Sequence, residues 1–445
     1  MDEGRASRAR RSWKLICLLA AVSGLASCSI YLVHVPDFFM GDDFELAGDA
    51  LAGTSPFQPV ASHLRPVIRL HFLLYRWLPW TWFFGALSLA LHVVACGVVF
   101  LVLRGIYGQR VALPVALLFF TSFLANEAVF WASSAAVLYC MIFSGLSLWC
   151  FVRGRLTAAY VLLGAAALSY ELWLVVPLLF LFHFRRVREL IVPYAMVGAY
   201  LGLHFVAFGA AGASSYGGFS LAELPLRFSV YAFRLLSPLA GSPGLGVSLL
   251  LSALLLSLFA FPRFRFAAAL YAASALLFSL SAHVSSRFYY FPSLALILIV
   301  ALGLNSSRRA ARLVATILAV YLAVASPWIN HLDGEDYAQK AQLHRELYEV
   351  LDSRIHRLAE GENCVVVNRL GPERLTALRN TRAGRPKLVF VRGPAMGGMI
   401  YPDDAVRMAL WGRAEQPLDA ACSGKRIEVG RGELRSTYCF RIAPR

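Results

Sequence analysis

The sequence predicts an all-α polytopic membrane protein carrying a small C-terminal α/β domain, and three observations support this. Hydrophobic residues make up 58% of the 445 residues and charged ones only 15%, with mean hydropathy +0.61, far from the balance of soluble domains. Apolar stretches of the roughly 20 residues needed to cross a bilayer recur from Trp13 to Asn330. From Asp333 onward the composition turns polar and stays so.

Basic clusters divide the apolar part into about eleven spans of bilayer-crossing character, near 13–35, 80–103, 111–126, 134–152, 157–170, 172–184, 190–208, 244–261, 266–283, 289–304 and 313–330. The first could be mistaken for a cleaved leader, because Arg5 to Lys14 precedes an apolar run and Leu25-Ala26-Ser27-Cys28 fits a lipoprotein box. The run continues past the cysteine through Ile30, Tyr31, Leu32 and Val33, so it reads as a span.

A net charge of +16 in a soluble protein would suggest nucleic acid, but here it is read by position, and no nucleic-acid partner is expected. With the N-terminus inside, the inner segments hold Arg5 to Lys14, Arg104 and Arg110, Arg153 and Arg155, Arg185 to Arg188, Arg263 and Arg265, and Arg308 to Arg312. Every inner loop is then basic. Nine acids lie between Trp13 and Leu332: Asp37, Asp42, Asp43, Glu45, Asp49, Glu127, Glu171, Glu189 and Glu223. All but Glu189 fall on the outer side, which points to one outward-facing polar site, since ionisable groups near membrane depth are costly. Only four lysines occur, and this arginine-rich composition suggests a GC-rich bacterial genome and an inner-membrane location.

Three divisions follow: a basic cytoplasmic N-terminus (1–12), a transmembrane domain (13–332) with a long first outer loop (36–79), and an extracytoplasmic α/β domain (333–445). The first loop opens with Asp37-Phe38-Phe39-Met40-Gly41-Asp42-Asp43, two adjacent carboxylates among aromatics. Ser62-His63-Leu64-Arg65-Pro66 follows, then Val67 to Leu78, where Arg69, His71 and Arg76 interrupt apolar residues as in an interfacial helix with snorkelling bases. Further outer segments carry Asn126-Glu127-Ala128-Val129-Phe130-Trp131, Ser169-Tyr170-Glu171, a Gly/Ser/Pro-rich stretch 209–243 that could cover a site, and Arg287-Phe288-Tyr289-Tyr290-Phe291-Pro292.

In the tail, 336–359 has helical periodicity, and 364–368, 387–391, 426–429 and 437–442 read as strands. Cys364, Cys422 and Cys439 lie there, where an oxidising compartment permits one disulfide; Cys422 with Cys439 is the favoured pair. The other five cysteines lie in spans as small apolar side chains. No zinc spacing and no glycine-rich phosphate loop is present.

Paired carboxylates with an isolated arginine suit group transfer from a lipid-linked phosphate. A carboxylate takes the proton from an acceptor hydroxyl, and an arginine holds the leaving phosphate. Acids and arginines within spans also build proton-coupled transporters, but those carry their charges near the midplane.

These residues together resemble the integral-membrane GT-C glycosyltransferases, nearest the protein O-mannosyltransferase branch and its tetratricopeptide-bearing relatives. The resemblance runs from about Trp13 to Asn305. Asp42-Asp43 is similar to the family's first-loop acidic motif, Arg65-Pro66 with Leu91-His92 to its Arg-Pro and Leu-His run, and Asn126 to Trp131 to its second-loop motif. Ser169-Tyr170-Glu171 resembles its Ser-Lys-Glu with tyrosine replacing the lysine, and Arg287 to Pro292 its Arg-Tyr-x-Tyr-x-Pro segment.

The resemblance implies Asp42 and Asp43 as catalytic residues, with a divalent cation (Mg or Mn) at the same pair if one is used. It implies Arg287 and Arg65 as donor-phosphate contacts and Glu127, Glu171, His63 and Tyr289 as further site residues. It implies an inverting hexosyl- or pentosyltransferase of the cell envelope. This enzyme takes its sugar from a polyprenyl-phosphate donor and passes it to a glycan, lipid or protein acceptor on the extracytoplasmic side, within membrane lipid. The alternatives are a non-catalytic transporter or flippase of lipid-linked glycans, and a structural subunit whose outer domain recruits a partner. For single residues, Glu127 and Glu171 could instead pair with arginines, His92 bridge two helices, and Tyr289 belong to an interfacial aromatic belt.

Overall fold

The computed structural model describes residues 3–40, 42–58, 64–181, 188–214, 224–236, 244–279, 286–355, 361–369, 414–418, 425–429 and 434–442. The described residues form fifteen α-helices, several 3-10 turns and four strands. The helices are α1 (Glu3–His34), α2 (Asp42–Ala52), α3 (Pro66–Leu73), α4 (Thr81–Tyr107), α5 (Gln109–Thr121), α6 (Asn126–Phe130), α7 (Ala135–Val152) and α8 (Leu156–Ala167). They continue as α9 (Val175–Phe180), α10 (Arg188–Ser214), α11 (Leu224–Leu236), α12 (Leu245–Ser257), α13 (Arg265–Ser279), α14 (Tyr290–Leu304) and α15 (Arg309–Ile355).

Within the described residues the expected spans fall largely on helix, as they must where backbone groups have no water to bond, and 182–184 and 280–283 lie outside those residues. Among the described residues six helices, α1, α4, α7, α10, α14 and α15, are long and apolar enough to cross a membrane. Counting the bent pairs Gln109–Thr121 with Phe123–Phe130 and Leu245–Ala260 with Pro262–Leu277 as one span each raises the number to eight. The segments expected at 157–170 and 172–184 appear as Leu156–Ala167 and Glu171–Phe180, each too short to cross alone. They are separated where Tyr170 turns extended, at φ −165° and ψ 149°.

The bundle core brings α1 against α15 and α5, α4 against α5 and α7, and α13 against α14. Buried polar side chains tie these helices together. His92 on α4 meets the Tyr290 hydroxyl at 2.7 Å and the Phe120 carbonyl at 3.1 Å, the helix-bridging role its apolar setting suggested. The Asn330 amide on α15 donates to Ser27 Oγ, the Tyr31 hydroxyl and the Thr121 carbonyl at 3.1, 3.2 and 2.9 Å.

The bundle is chemically asymmetric along its length. At one end glycines with positive φ, Gly108 (+79°) and Gly154 (+74°), follow α4 and α7. Arginines collect beside them: Arg153 and Arg155 lie over Trp149, Arg308 lies over Phe261, and Arg263 donates to the Asn305 carbonyl at 2.8 Å. The acids gather at the other end, around the first loop.

Two expectations change there. Helix α3 does not lie with its bases snorkelling: Arg69 and His71 are buried and only Arg76 is exposed. Arg69 pairs with Asp49 at 2.9 Å and His71 Nδ1 meets the Tyr139 hydroxyl at 3.1 Å, so the basic face turns into protein while Leu70, Trp77 and Trp80 stay exposed. The tail helix expected at 336–359 does not begin a new domain but continues α15 without a break from Arg309.

Strands β1 (Gly361–Arg369), β2 (Ala414–Leu418), β3 (Lys425–Val429) and β4 (Leu434–Ile442) form one sheet in the order β2-β4-β1-β3. Strands β1, β3 and β4 fall on three of the four expected strands, and 387–391 lies outside the described residues. Antiparallel pairing of β1 with β4 sets Cys364 opposite Cys439 in register. The favoured partner Cys422 lies outside the described residues.

Candidate functional site

The acidic end of the bundle is organised by three short segments that meet above α4 and α14: the start of α2, the stretch from α6 to Ser134, and the 3-10 turn Ser286–Tyr289 that leads into α14. Gly85 at the top of α4 lets the first loop approach closely, since a Cβ there would meet Val35 Cγ1 at 2.6 Å and the Pro36 carbonyl at 2.9 Å. Thr81 then donates to the Asp37 carbonyl at 2.5 Å.

The adjacent aspartates part company. Asp43 is 1% exposed, and its two oxygens each accept a backbone N–H, from Met40 at 3.0 Å and from Ser133 at 2.7 Å. It thereby clamps the first loop to the second, alongside Trp131, whose indole N–H donates to the Met40 carbonyl at 2.9 Å. Burial pushes its carboxyl up to about 7, opposed by those two N–H donors and reinforced by the neighbouring Asp42. Asp42, first residue of α2, is only half-buried and lies within electrostatic range of Arg287.

Arg287 is incompletely hydrogen-bonded among the described residues. Its side chain is 13% exposed and its Nε, though buried, has no hydrogen-bond partner among the described residues. Glu127 stands 3.7 Å from Nε and uses its other oxygen to accept the Arg287 backbone N–H at 3.1 Å, so the pair is loose. The guanidinium lies 5.4 Å from the Trp131 ring centre.

Arg65 is arranged differently. It forks onto Glu171 with Nε–Oε1 3.1 Å and Nη2–Oε2 2.7 Å, and its guanidinium stacks 4.2 Å over the Tyr170 ring. The ordinary structural pairing of Glu171 is thus the one observed, and it joins the start of α3 to the Ser169-Tyr170-Glu171 turn, which also accepts Val67 N–H through the Leu168 carbonyl at 3.2 Å. Tyr170 lies between the two arginines, in contact with one and in range of the other. Tyr289 is buried at 1% against Tyr231, with ring centres 4.7 Å apart, and so is not part of an exposed aromatic belt. His63 lies outside the described residues.

The C-terminal half of α15 supplies residues that sequence reasoning assigned to the tail. Asp333 accepts from Asn126 Nδ2 at 2.9 Å, and Tyr337 stacks on Phe130 with centres 5.6 Å apart. Lys340 lies 3.5 Å from Asp336 and 5.1 Å from the Tyr337 ring centre. Arg345 pairs with Asp37 at 2.6 Å. Their signal was the spacing of Asn330, Asp333, Tyr337 and Lys340, which carries one face of the last span past its polar boundary.

No group of three or more His, Cys, Asp or Glu among the described residues is placed to hold a metal ion. Asp43 has both oxygens engaged, which leaves Asp42 as one carboxylate, a poor donor set for Mg or Mn. The residues therefore do not fit the divalent cation, and no chemical step is derived through one.

Fold and charge distribution define a helical protein with several membrane-crossing helices and a polar site at one end of the bundle. No family model matches the chain, and no curated protein matches it. Among solved structures, the crystal structure of ArnT from Cupriavidus metallidurans in the apo state is 13% identical, with a TM-score of 0.39 over 82% of this chain and 83% of that one. A likeness at that score carries no argument about this protein.

Proposed function

We propose that the protein is a membrane glycosyltransferase that moves a sugar from a polyprenyl-phosphate donor to an acceptor hydroxyl on the extracytoplasmic side. The single observation that carries this reading is a half-buried carboxylate, Asp42, within electrostatic range of an incompletely hydrogen-bonded arginine, Arg287. Asp42 takes the proton of the acceptor hydroxyl as that oxygen attacks the anomeric carbon. The bond from that carbon to the phosphate oxygen breaks, the electron pair leaves with the phosphate, and Arg287 holds the charge that develops. Attack opposite to departure inverts the anomeric centre.

The setting supports a lipid donor. Starting one turn beyond Arg287, Phe291, Leu294 and Leu298 of α14 line a narrow apolar crevice of about 50 Å³ with Met141 and Gly145 of α7. Its almost wholly apolar lining is the kind of surface against which a hydrocarbon chain packs.

Mass spectrometry of envelope lipids, glycans and glycoproteins from a strain lacking the gene tests the reading. One hexose or pentose should be missing, restored by the wild type but not by Asp42→Asn or Arg287→Ala at matched membrane levels. Full restoration by both variants would remove it, and donor crossing vesicles without loss of sugar would favour a flippase.

A further inference from the structure

Glu127 poses a question of charge. An anionic donor at Arg287 displaces the carboxylate that now faces that arginine, and two anions cannot share one guanidinium in a buried site without a second cation. One such cation comes from α15. Asp333 and Tyr337 hold this helix against α6, touching Asn126 and Phe130 on either side of Glu127. One turn further, Lys340 is 17% exposed at its side chain, and Glu127 and Asp333 lie within its electrostatic range. Its Asp336 contact, at 3.5 Å, is too long for a strong charge-assisted bond.

We propose that Lys340 is a positioning residue that takes over the charge of Glu127 when an anionic donor occupies Arg287. This rests on the donor reading above and extends it: α15, which continues from the membrane toward the sheet, is a working wall of the site. Lys340 does not touch the reacting atoms. It lets the carboxylate turn aside without being stranded.

Binding of a polyprenyl phosphate to the purified full-length protein in detergent tests this, with Kd measured for the wild type and for Lys340→Met, Lys340→Arg, Glu127→Gln and Lys340→Met/Glu127→Gln. Lys340→Met is expected to weaken binding about tenfold, a change typical of losing one charged partner. Lys340→Arg should retain binding, and the double variant should recover most of it, because a neutral glutamine needs no second cation. A structural loss would not be cured by Glu127→Gln, and thermal unfolding of each variant shows whether folding changed. Wild-type affinity in Lys340→Met, or a double variant as weak as Lys340→Met, overturns the role of Lys340 alone. Absence of wild-type binding overturns the donor reading along with it.

Discussion

Two arginine–glutamate pairs stand at the same end of this bundle, and they differ in what they leave undone. Arg65 and Glu171 are closed: two short hydrogen bonds and a stacked ring hold the guanidinium. Arg287 and Glu127 are open: 3.7 Å apart through Nε, with that nitrogen unbonded among the described residues. A closed pair spends its hydrogen bonds on joining two segments of chain. An open one keeps them for a ligand. The same residue types are thus tightly bonded in one place and loosely bonded in the other, and sequence alone does not separate them.

The largest expected effect is on activity at the open pair. Arg287→Ala should reduce sugar transfer by about 10²–10³-fold or more, the scale of losing a donor that stabilises developing charge, with membrane insertion and thermal unfolding close to wild type. Asp42→Asn should lose a comparable factor. Both are read as product formed in reconstituted vesicles. A stable but fully active Arg287→Ala would erase the distinction between the pairs.

The closed pair should show the reverse. Glu171→Gln strands a mostly buried guanidinium and is expected to cost about 3–5 kcal/mol of stability, seen as a lowered unfolding midpoint in detergent. Arg65→Met with Glu171→Leu should regain much of that loss. If Glu171→Gln lowers activity without changing the midpoint, Arg65 belongs with the chemistry after all.

Asp43 offers a smaller effect with a defined sign. Its folded pKa, about 7, lies above the ordinary carboxylate value, so the folded state holds a proton that the unfolded chain releases. Its contribution is fully present below about pH 4, the ordinary carboxylate value, and declines as pH rises toward the shifted value of about 7. Unfolding midpoints across that range should fall with pH in the wild type and lose this component in Asp43→Asn. That variant should also be weakened by about 1–3 kcal/mol, because its amide nitrogen faces one of the two backbone N–H donors.

The smallest effect belongs to Tyr170, which lies between the pairs. Tyr170→Phe keeps the ring under Arg65 and should change stability by no more than a few tenths of a kcal/mol, whereas Tyr170→Leu removes a buried ring and should cost about 2 kcal/mol or more. Unfolding midpoints of the two variants give the comparison.

Much of this was legible in the chain itself. Asp42, Asp43, Glu127, Glu171, Arg65 and Arg287 announce themselves because an ionised group beside apolar spans has few innocent reasons to be there. Period and hydropathy located the helices, since a bilayer demands long apolar runs with internally bonded backbones. What they did not reveal is which carboxylate clamps and which stays available. Asp43 and Asp42 are neighbours with the same side chain, and only the approach of Ser133, 90 residues away, commits one of them.

The sequence by itself determined that this is a helical membrane protein with its acids gathered on a few connecting segments, because composition and period act along the chain. Tertiary structure alone decided that Arg65 is closed and Arg287 open, and that α15 brings Asp333, Tyr337 and Lys340 to the site. The reason is physical: satisfaction of a charge depends on partners scores to hundreds of residues distant, whose distance and angle no local pattern encodes.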